Sequence, residues 1–375
     1  MGVNVSMQRT KPPFRADQVG SFLRSDALKQ ARAKRDKGEI TPAQLKAVED
    51  EEIKKVIKKQ EDVGMKLATD GEFRRTFWHF DFLGGMQGID LYDHTQGIQF
   101  EGAQTKAWDI RVVGKIDFPD DHPFLEHFRF LKANTRVVPK MTIPSPTVAH
   151  FRVGRHKISK EVYPDLDQFF HDAGKAYGKA VKAFYDAGCR YLQFDDTVWA
   201  YLCSEKELAQ SRERGDKTDD LQQKYRDMIN LALKDKPSDM VITMHACRGN
   251  FRSTFIASGG YEPVAEVLLG QVNFDGYFLE YDTDRAGGFE PLRFLPKGQK
   301  QVVLGLITSK SGTLENKDDV KRRIDEAAKF APLEQFCLSP QCGFASTEEG
   351  NILTEDQQWA KMREIVELSE EVWGK

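Results

Sequence analysis

His245 and Cys247 stand two residues apart at the end of the apolar run Met240-Val241-Ile242-Thr243-Met244, and Glu280 and Cys342 follow far downstream. Imidazole, thiolate and carboxylate together suit zinc, whereas magnesium and calcium prefer shells made of oxygen alone. Residues two apart on an extended chain point the same way, so His245 and Cys247 can face one ion. Taken alone, the spacing is more often a core histidine beside an inert buried cysteine, and the remaining partners decide the matter. Structural zinc sites usually offer two tight ligand pairs in a small loop. One tight pair completed from distant segments requires a fold that assembles the site. Glu280 ends the apolar run Gly276–Leu279, where a carboxylate is costly unless paired or bound to metal, and a salt bridge to Arg285 is the competing explanation. Cys342, in the turn Pro340-Gln341-Cys342-Gly343, is placed to expose a thiolate.

The elements that must position these groups alternate along the chain. Strand patterns cover Gln18–Phe22, Leu67–Asp70, Val137–Ile143, Tyr191–Asp195, Val241–His245, Gly276–Glu280, Gln301–Ile307 and Gln335–Ser339. Helical patterns cover Ala43–Val63, Leu166–Ala187, Leu221–Lys234, Tyr261–Leu269, Lys317–Lys329 and Glu355–Trp373. Strand then helix, repeated about eight times, predicts a (β/α)8 TIM barrel, here one domain over residues 1–375. Two additions interrupt the repeat: a helical hairpin from Ser25 to Val63, broken at Gly38 and Thr41-Pro42, and an antiparallel β-hairpin over residues 98–118. In such barrels the chemistry sits at the C-terminal strand ends. Those ends supply Ser21, Asp70, Glu72, Ser145, Thr147, Asp195, Asp196, His245, Cys247, Glu280, Lys310 and Cys342.

Composition narrows the class. The chain has 375 residues, 40% hydrophobic and 30% charged, with a net charge of −3. That is ample material for a large core, and it lends no support to nucleic-acid binding. No apolar stretch approaches the roughly 18 residues that span a bilayer, and no signal peptide precedes the charged N-terminus. Five cysteines, few and widely spaced, argue against a disulfide framework. The expectation is a cytoplasmic protein with free thiols and no membrane partner. Met1-Gly2-Val3-Asn4-Val5-Ser6 fits the loose myristoylation pattern but lacks a second lipid signal, and is read as chance.

Five motifs in one order resemble the catalytic C-terminal barrel of cobalamin-independent methionine synthase, and more closely the short, single-barrel proteins related to it. Val19-Gly20-Ser21-Phe22 matches that family's Ile-Gly-Ser-Phe, and Asp70-Gly71-Glu72 with Arg75 matches its His-Gly-Glu segment. Asp195-Asp196 matches Asp-Glu-Pro, His245-Ala246-Cys247 matches His-x-Cys, and Pro340-Gln341-Cys342-Gly343 matches Pro-Asp-Cys-Gly.

The resemblance implies zinc held by His245, Cys247, Glu280 and Cys342. It also implies a thiol substrate such as homocysteine, its amino group held by Glu72 and Asp195 and its carboxylate by Ser21 and the backbone near Val19. A free thiol is mostly protonated at neutral pH, and zinc deprotonates it, while two thiolates and a carboxylate around the metal keep it electron-rich. Four protein ligands usually mark a closed structural site, so one must yield to substrate, and Glu280 is the expected one.

Three departures bear on the methyl donor. The full-length family members carry a second, N-terminal barrel that helps to hold a polyglutamylated folate, and this chain has no room for one. Phe151 stands where the family has a tryptophan that stacks on the pteridine; a plain core aromatic is the other reading. Lys310 replaces the family's proton-donating histidine, so either it is a tuned acid or the leaving group needs no proton, as with a methyl-corrinoid donor. An epoxide acceptor with another thiol, as in epoxyalkane coenzyme M transferases, is an alternative. A uroporphyrinogen decarboxylase-like lyase shares the barrel but needs no zinc. The stretch Arg74–Asp81 shapes the acceptor pocket, binds an anion, or simply covers the barrel mouth. The resemblance also allows a homodimer.

Overall fold

Seven apolar runs pair in parallel and in sequence order: β1 (Leu67–Ala68), β2 (Val138–Pro144), β3 (Tyr191–Asp196), β4 (Val241–Ala246), β5 (Gly276–Glu280), β6 (Gln301–Ile307) and β7 (Phe336–Pro340). The computed structural model describes residues 7–93, 99–100, 103–104, 108–254, 256–257 and 259–375. The strands are mostly buried on both faces, because helices cover the outside and side chains fill the inside, as parallel sheets require. The architecture is α/β and TIM-barrel-like.

The expected strand at Gln18–Phe22 is where the structure departs from the sequence reading. Ladder pairing comes earlier, where Asp17 N–H donates to Leu338 O (3.0 Å) and Leu338 N–H to Arg15 O (2.8 Å). Beyond it, three successive carbonyls leave the ladder for side chains. Lys140 Nζ donates to Gln18 O, Gln193 Nε2 to Val19 O (2.7 Å) and Thr69 Oγ1 to Gly20 O (2.6 Å). Gly20 adopts φ +149°, a conformation that L side chains rarely take. Phe22 N–H then reaches Gly71 O (3.1 Å) beyond β1. The segment therefore touches both edge strands and closes the ring without being a regular strand.

The last helix, Glu355–Trp373, anchors this seam. A capping box at Thr354 and Gln357 starts it, Gln358 Oε1 accepts from Leu23 N–H (2.7 Å), and Trp359 stacks on Phe22 at 4.9 Å. Inside the ring, Val19, Phe278, Val303 and Cys337 form a small apolar cluster apart from the main core. Lys140, fully buried, pairs there with Asp17 (3.1 Å), which also accepts from the Tyr191 hydroxyl (2.8 Å).

The helical hairpin is present as Asp26–Asp36 and Pro42–Asp62, the second started by a Thr41–Gln44 capping box with proline in its first turn. The β-hairpin begins further upstream than expected. Trp108–Asp117 pairs antiparallel with Gln87–Asp93, whose buried Ile89 gives it an inner face, and short strands at Gln99–Phe100 and Ala103–Gln104 pair with each other. Residues 98, 101–102 and 105–107 of the expected hairpin, and the Met1–Ser6 pattern, lie outside the described residues. Among the described residues no helix is long and apolar enough to cross a membrane.

Candidate metal centre and substrate cavity

Strand register brings the site together. Asp195 pairs with His245 across β3 and β4, and Gly305 with Glu280 across β6 and β5, so polar residues at successive strand ends face one mouth. The ligand atoms of His245, Cys247, Glu280 and Cys342 all lie within 4.8 Å of one another, and all four residues are buried. The two sulfurs are 3.5 Å apart, close to the ~3.8 Å that tetrahedral zinc with Zn–S bonds of about 2.3 Å imposes. His245 Nε2 lies 4.0 Å from Glu280 Oε1, and neither imidazole nitrogen has a hydrogen-bond partner in proper geometry among the described residues. An orphaned buried imidazole beside two touching thiols is what a cation would complete.

The electrostatics agree. Cys342 is held well below the ordinary thiol range by the Cys247 thiol, and next by His245 and Lys310, against the cost of burial. Cys247 is pushed well above it by the same sulfur contact and by burial. Ionisation of one sulfur opposes ionisation of the other, and a dication between them would allow both to ionise. Burial likewise raises Glu280, opposed by Lys310 and Arg285. The competing salt bridge exists alongside the metal arrangement: Glu280 Oε2 lies 3.2 Å from Arg285, while Oε1 accepts from Arg248 N–H and faces His245. Glu280 thus has an ionic partner on one oxygen and faces the cluster with the other.

Next to the cluster is a small, narrow cavity whose wall includes Val19, Ser21, Glu72, Asp195, His245, Cys247 and Cys342. Glu72 sits at φ +61° after a turn in which its N–H donates to Asp70 Oδ1 (2.9 Å). Its Oε1 accepts from Thr142 Oγ1 (2.8 Å) and lies 3.4 Å from Arg75. Asp195 accepts from Gln193 Nε2 (2.7 Å), and burial with the nearby Glu72 charge pushes it up to about 7. Burial also raises Glu72. Two buried carboxylates on one wall, the charge of Glu72 raising Asp195, have the chemistry that suits an ammonium group. Ser21 Oγ accepts from Ala345 N–H (3.2 Å), tying the closing segment to the turn that carries Cys342.

Two expected residues stand elsewhere. Phe151 is 1% exposed and off the cavity wall, beside the Tyr201 ring (5.8 Å) and under Arg214, as a core aromatic would be. The aromatic rings on the wall are Trp78 and Tyr201. Lys310 is also set back: its Nζ donates to Asn250 Oδ1 (3.3 Å), and Asn250 lines the cavity. In the stretch from Arg74, both arginines are engaged, Arg74 by Glu49 and Asp50 and Arg75 by Glu72 and Thr142. Only Trp78 of that stretch reaches the cavity. Sequence reasoning passed over Arg152, Thr197, Tyr201 and Asn250, although all follow the ends of β2, β3 and β4, where that position was itself the signal.

A TIM-like barrel with a His/Cys/Glu/Cys cluster at its mouth has a defined kinship. The chain belongs to the cobalamin-independent synthase family, whose catalytic domain matches residues 14–367; these are methionine synthase-like methyltransferases. It is 54% identical over 370 residues to the uncharacterized protein YxjG of Bacillus subtilis, covering 98% of this chain and 97% of that protein. A putative vitamin-B12 independent methionine synthase from Listeria monocytogenes superposes with a TM-score of 0.80 at 44% identity, over 98% of this chain and 100% of that one. A B12-independent methionine synthase from Shewanella sp. W3-18-1, solved with selenomethionine, gives 0.72 at 18% identity over 96% and 97%, a likeness of fold.

Proposed function

We propose that this chain is a zinc-dependent thiol methyltransferase that converts homocysteine to methionine within a single barrel. The observation that carries the reading is the union, on one cavity, of the His245–Cys247–Glu280–Cys342 cluster with the buried pair Glu72 and Asp195. Zinc bound there would supply the Lewis acidity that makes a thiol a nucleophile at neutral pH. The protein's own groups do the rest. Glu72 and Asp195 hold the substrate ammonium, and Ser21 with the Val19 backbone orients its carboxylate, which fixes the sulfur toward the cluster. Arg285, 3.2 Å from Glu280 Oε2, would hold that carboxylate if substrate replaced it at a bound metal. Lys310, whose charge reaches Cys247, Cys342 and Glu280, offsets the anionic cluster and is the candidate proton donor to the leaving group. The methyl donor is a methyl-folate or a methyl-corrinoid. Five free cysteines fit a reducing, cytoplasmic setting.

The test is a donor panel with zinc-loaded protein and homocysteine: methyl-folate with one or several glutamates, methylcobalamin, S-methylmethionine and an epoxide. Methionine should form with a methyl donor, and Glu72→Gln should weaken homocysteine binding about tenfold or more. Turnover of the epoxide alone, or unchanged thiol binding by Glu72→Gln, would refute the proposal.

A further inference from the structure

Arg152 is the cavity-wall residue whose charge finds no counterpart. Its guanidinium makes no hydrogen bond and no ion pair among the described residues, and its recorded contact is with the Tyr201 ring, 5.5 Å from the centroid. Other arginines near the mouth are committed: Arg24 to four backbone carbonyls, Arg74 and Arg75 to carboxylates, Arg285 to Glu280 and Asp282. The carboxylates of this corner, Asp216 and Glu207, act on Arg214, and neither forms an ion pair with Arg152. Arg214 is a second cation, and His79, 1% exposed with both ring nitrogens unpartnered, is kept neutral by burial and then by the Arg152 charge.

Two more polar groups stand in this corner. The Tyr201 hydroxyl and Thr197 Oγ1 are buried, at 1% and 3% exposure, and lie beside each other; among the described residues neither has any other hydrogen-bond partner. Both residues line the cavity, and the Tyr201 hydroxyl lies close enough to Cys247 and to Arg152 to feel both charges. A half-buried cation without a counterion, beside two buried hydroxyls that between them keep an O–H to donate, has the donors that an oxyanion needs.

We propose that Arg152, Tyr201 and Thr197 form a subsite for a carboxylate, phosphate or sulfonate carried by the methyl donor, so that the donor is an anion held beside the metal cluster. This rests on the reading of the cavity as a thiol methyltransferase site, in which Ser21, Val19, Glu72 and Asp195 serve the thiol. The alternative source of the same anion is the thiol itself, and the experiment separates the two.

Metal-loaded wild-type, Arg152→Met and Arg152→Lys proteins would be titrated calorimetrically with 5-methyltetrahydrofolate monoglutamate, the same methylated pterin lacking its glutamate tail, homocysteine and a sulfonate thiol. Arg152→Met should bind the folate ~10–100-fold more weakly and no longer prefer it to the tail-less pterin, as expected for loss of a charge-assisted pair. Arg152→Lys should recover part of the loss, and homocysteine affinity should stay within about twofold. Unchanged melting temperatures would exclude misfolding. The proposal fails if a thiol loses affinity instead of the folate, if no affinity changes, or if the wild-type protein does not favour the anionic pterin. Homocysteine binding is read separately, so a protein that binds the anionic donor but methylates nothing would sink the proposed reaction and leave the role of Arg152 standing.

Discussion

Replacing Gly20 with alanine tests whether the closing segment and the carboxylate pair are one mechanical unit. An added Cβ would lie 2.8 Å from Glu72 Oε1 and 2.9 Å from Thr142 Cγ2, and the backbone φ of +149° disfavours any side chain. Reaching an ordinary contact of 3.4 Å requires Glu72 Oε1 to retreat by about 0.6 Å, away from the Thr142 hydroxyl that it accepts at 2.8 Å. Overpacking costs about 1–3 kcal/mol and the backbone conformation about 1–2 kcal/mol more. Unfolding entropy of about 2.1 cal/mol/K per residue gives this 375-residue chain ~0.8 kcal/mol/K. The melting temperature should therefore fall by about 3–6 °C, and homocysteine affinity by about tenfold as one charge-assisted contact is misplaced. Gly38→Ala is the control, because Gly38 has φ +73° and nothing within 4 Å of an added Cβ. It should cost only ~1–3 °C and leave binding alone. The assays are a thermal melt and calorimetric titration of metal-loaded protein. If Gly20→Ala melts with Gly38→Ala and binds homocysteine like the wild type, the claimed coupling is wrong.

Other outcomes follow from the same geometry. Cys247→Ser should lose most bound zinc by elemental analysis, and the metal-free wild type under mild oxidant should form a Cys247–Cys342 disulfide, since the sulfurs are already 3.5 Å apart; mass spectrometry should show metal preventing it. Lys310→Met should slow turnover with a folate donor at least tenfold, and recovery by Lys310→Arg would assign Lys310 to charge balance rather than proton donation. Glu364 is pushed up to about 7 by burial and then by Glu315. Its folded carboxyl thus binds a proton that the unfolded one has lost, and stability falls as pH rises from about 4.5 through 7. Glu364→Gln should raise the melting temperature by about a degree at pH 8, after discounting for solvent screening, and leave it unchanged at pH 5.

Much of this molecule is legible in periodicity. The helix Glu355–Trp373 has the expected bounds, and the strands that carry Asp195, His245 and Glu280 end within a residue of their expected ends. The segment from Gln18 to Phe22 was misread because alternating apolar residues do not say where carbonyls go; here Lys140, Gln193 and Thr69 take them, residues far away in sequence. Phe151 was expected at the cavity because its motif position was known, yet a one-turn helix, Val148–Phe151, turns the ring into the core and leaves Arg152 at the wall. The hairpin starts outside its expected bounds because its first strand, Gln87–Asp93, precedes the stretch whose alternation marks the second. Arg152 itself is invisible to pattern, since only three dimensions reveal that a cation lacks a counterion.

The seam formed by residues 15–22 has a further meaning as the weakest joint of the ring. The other joints are strand ladders; this one is a short pairing at Ala16 followed by side-chain donors, with Val19 and Ser21 on the cavity side. A ligand gripping Ser21 and Glu72 together would stitch the ring shut, and its binding energy would appear as resistance to opening there. Substrate is thus expected to slow amide hydrogen exchange across this seam more than anywhere else in the sheet, so that occupancy of the site can be read as the firmness of one joint.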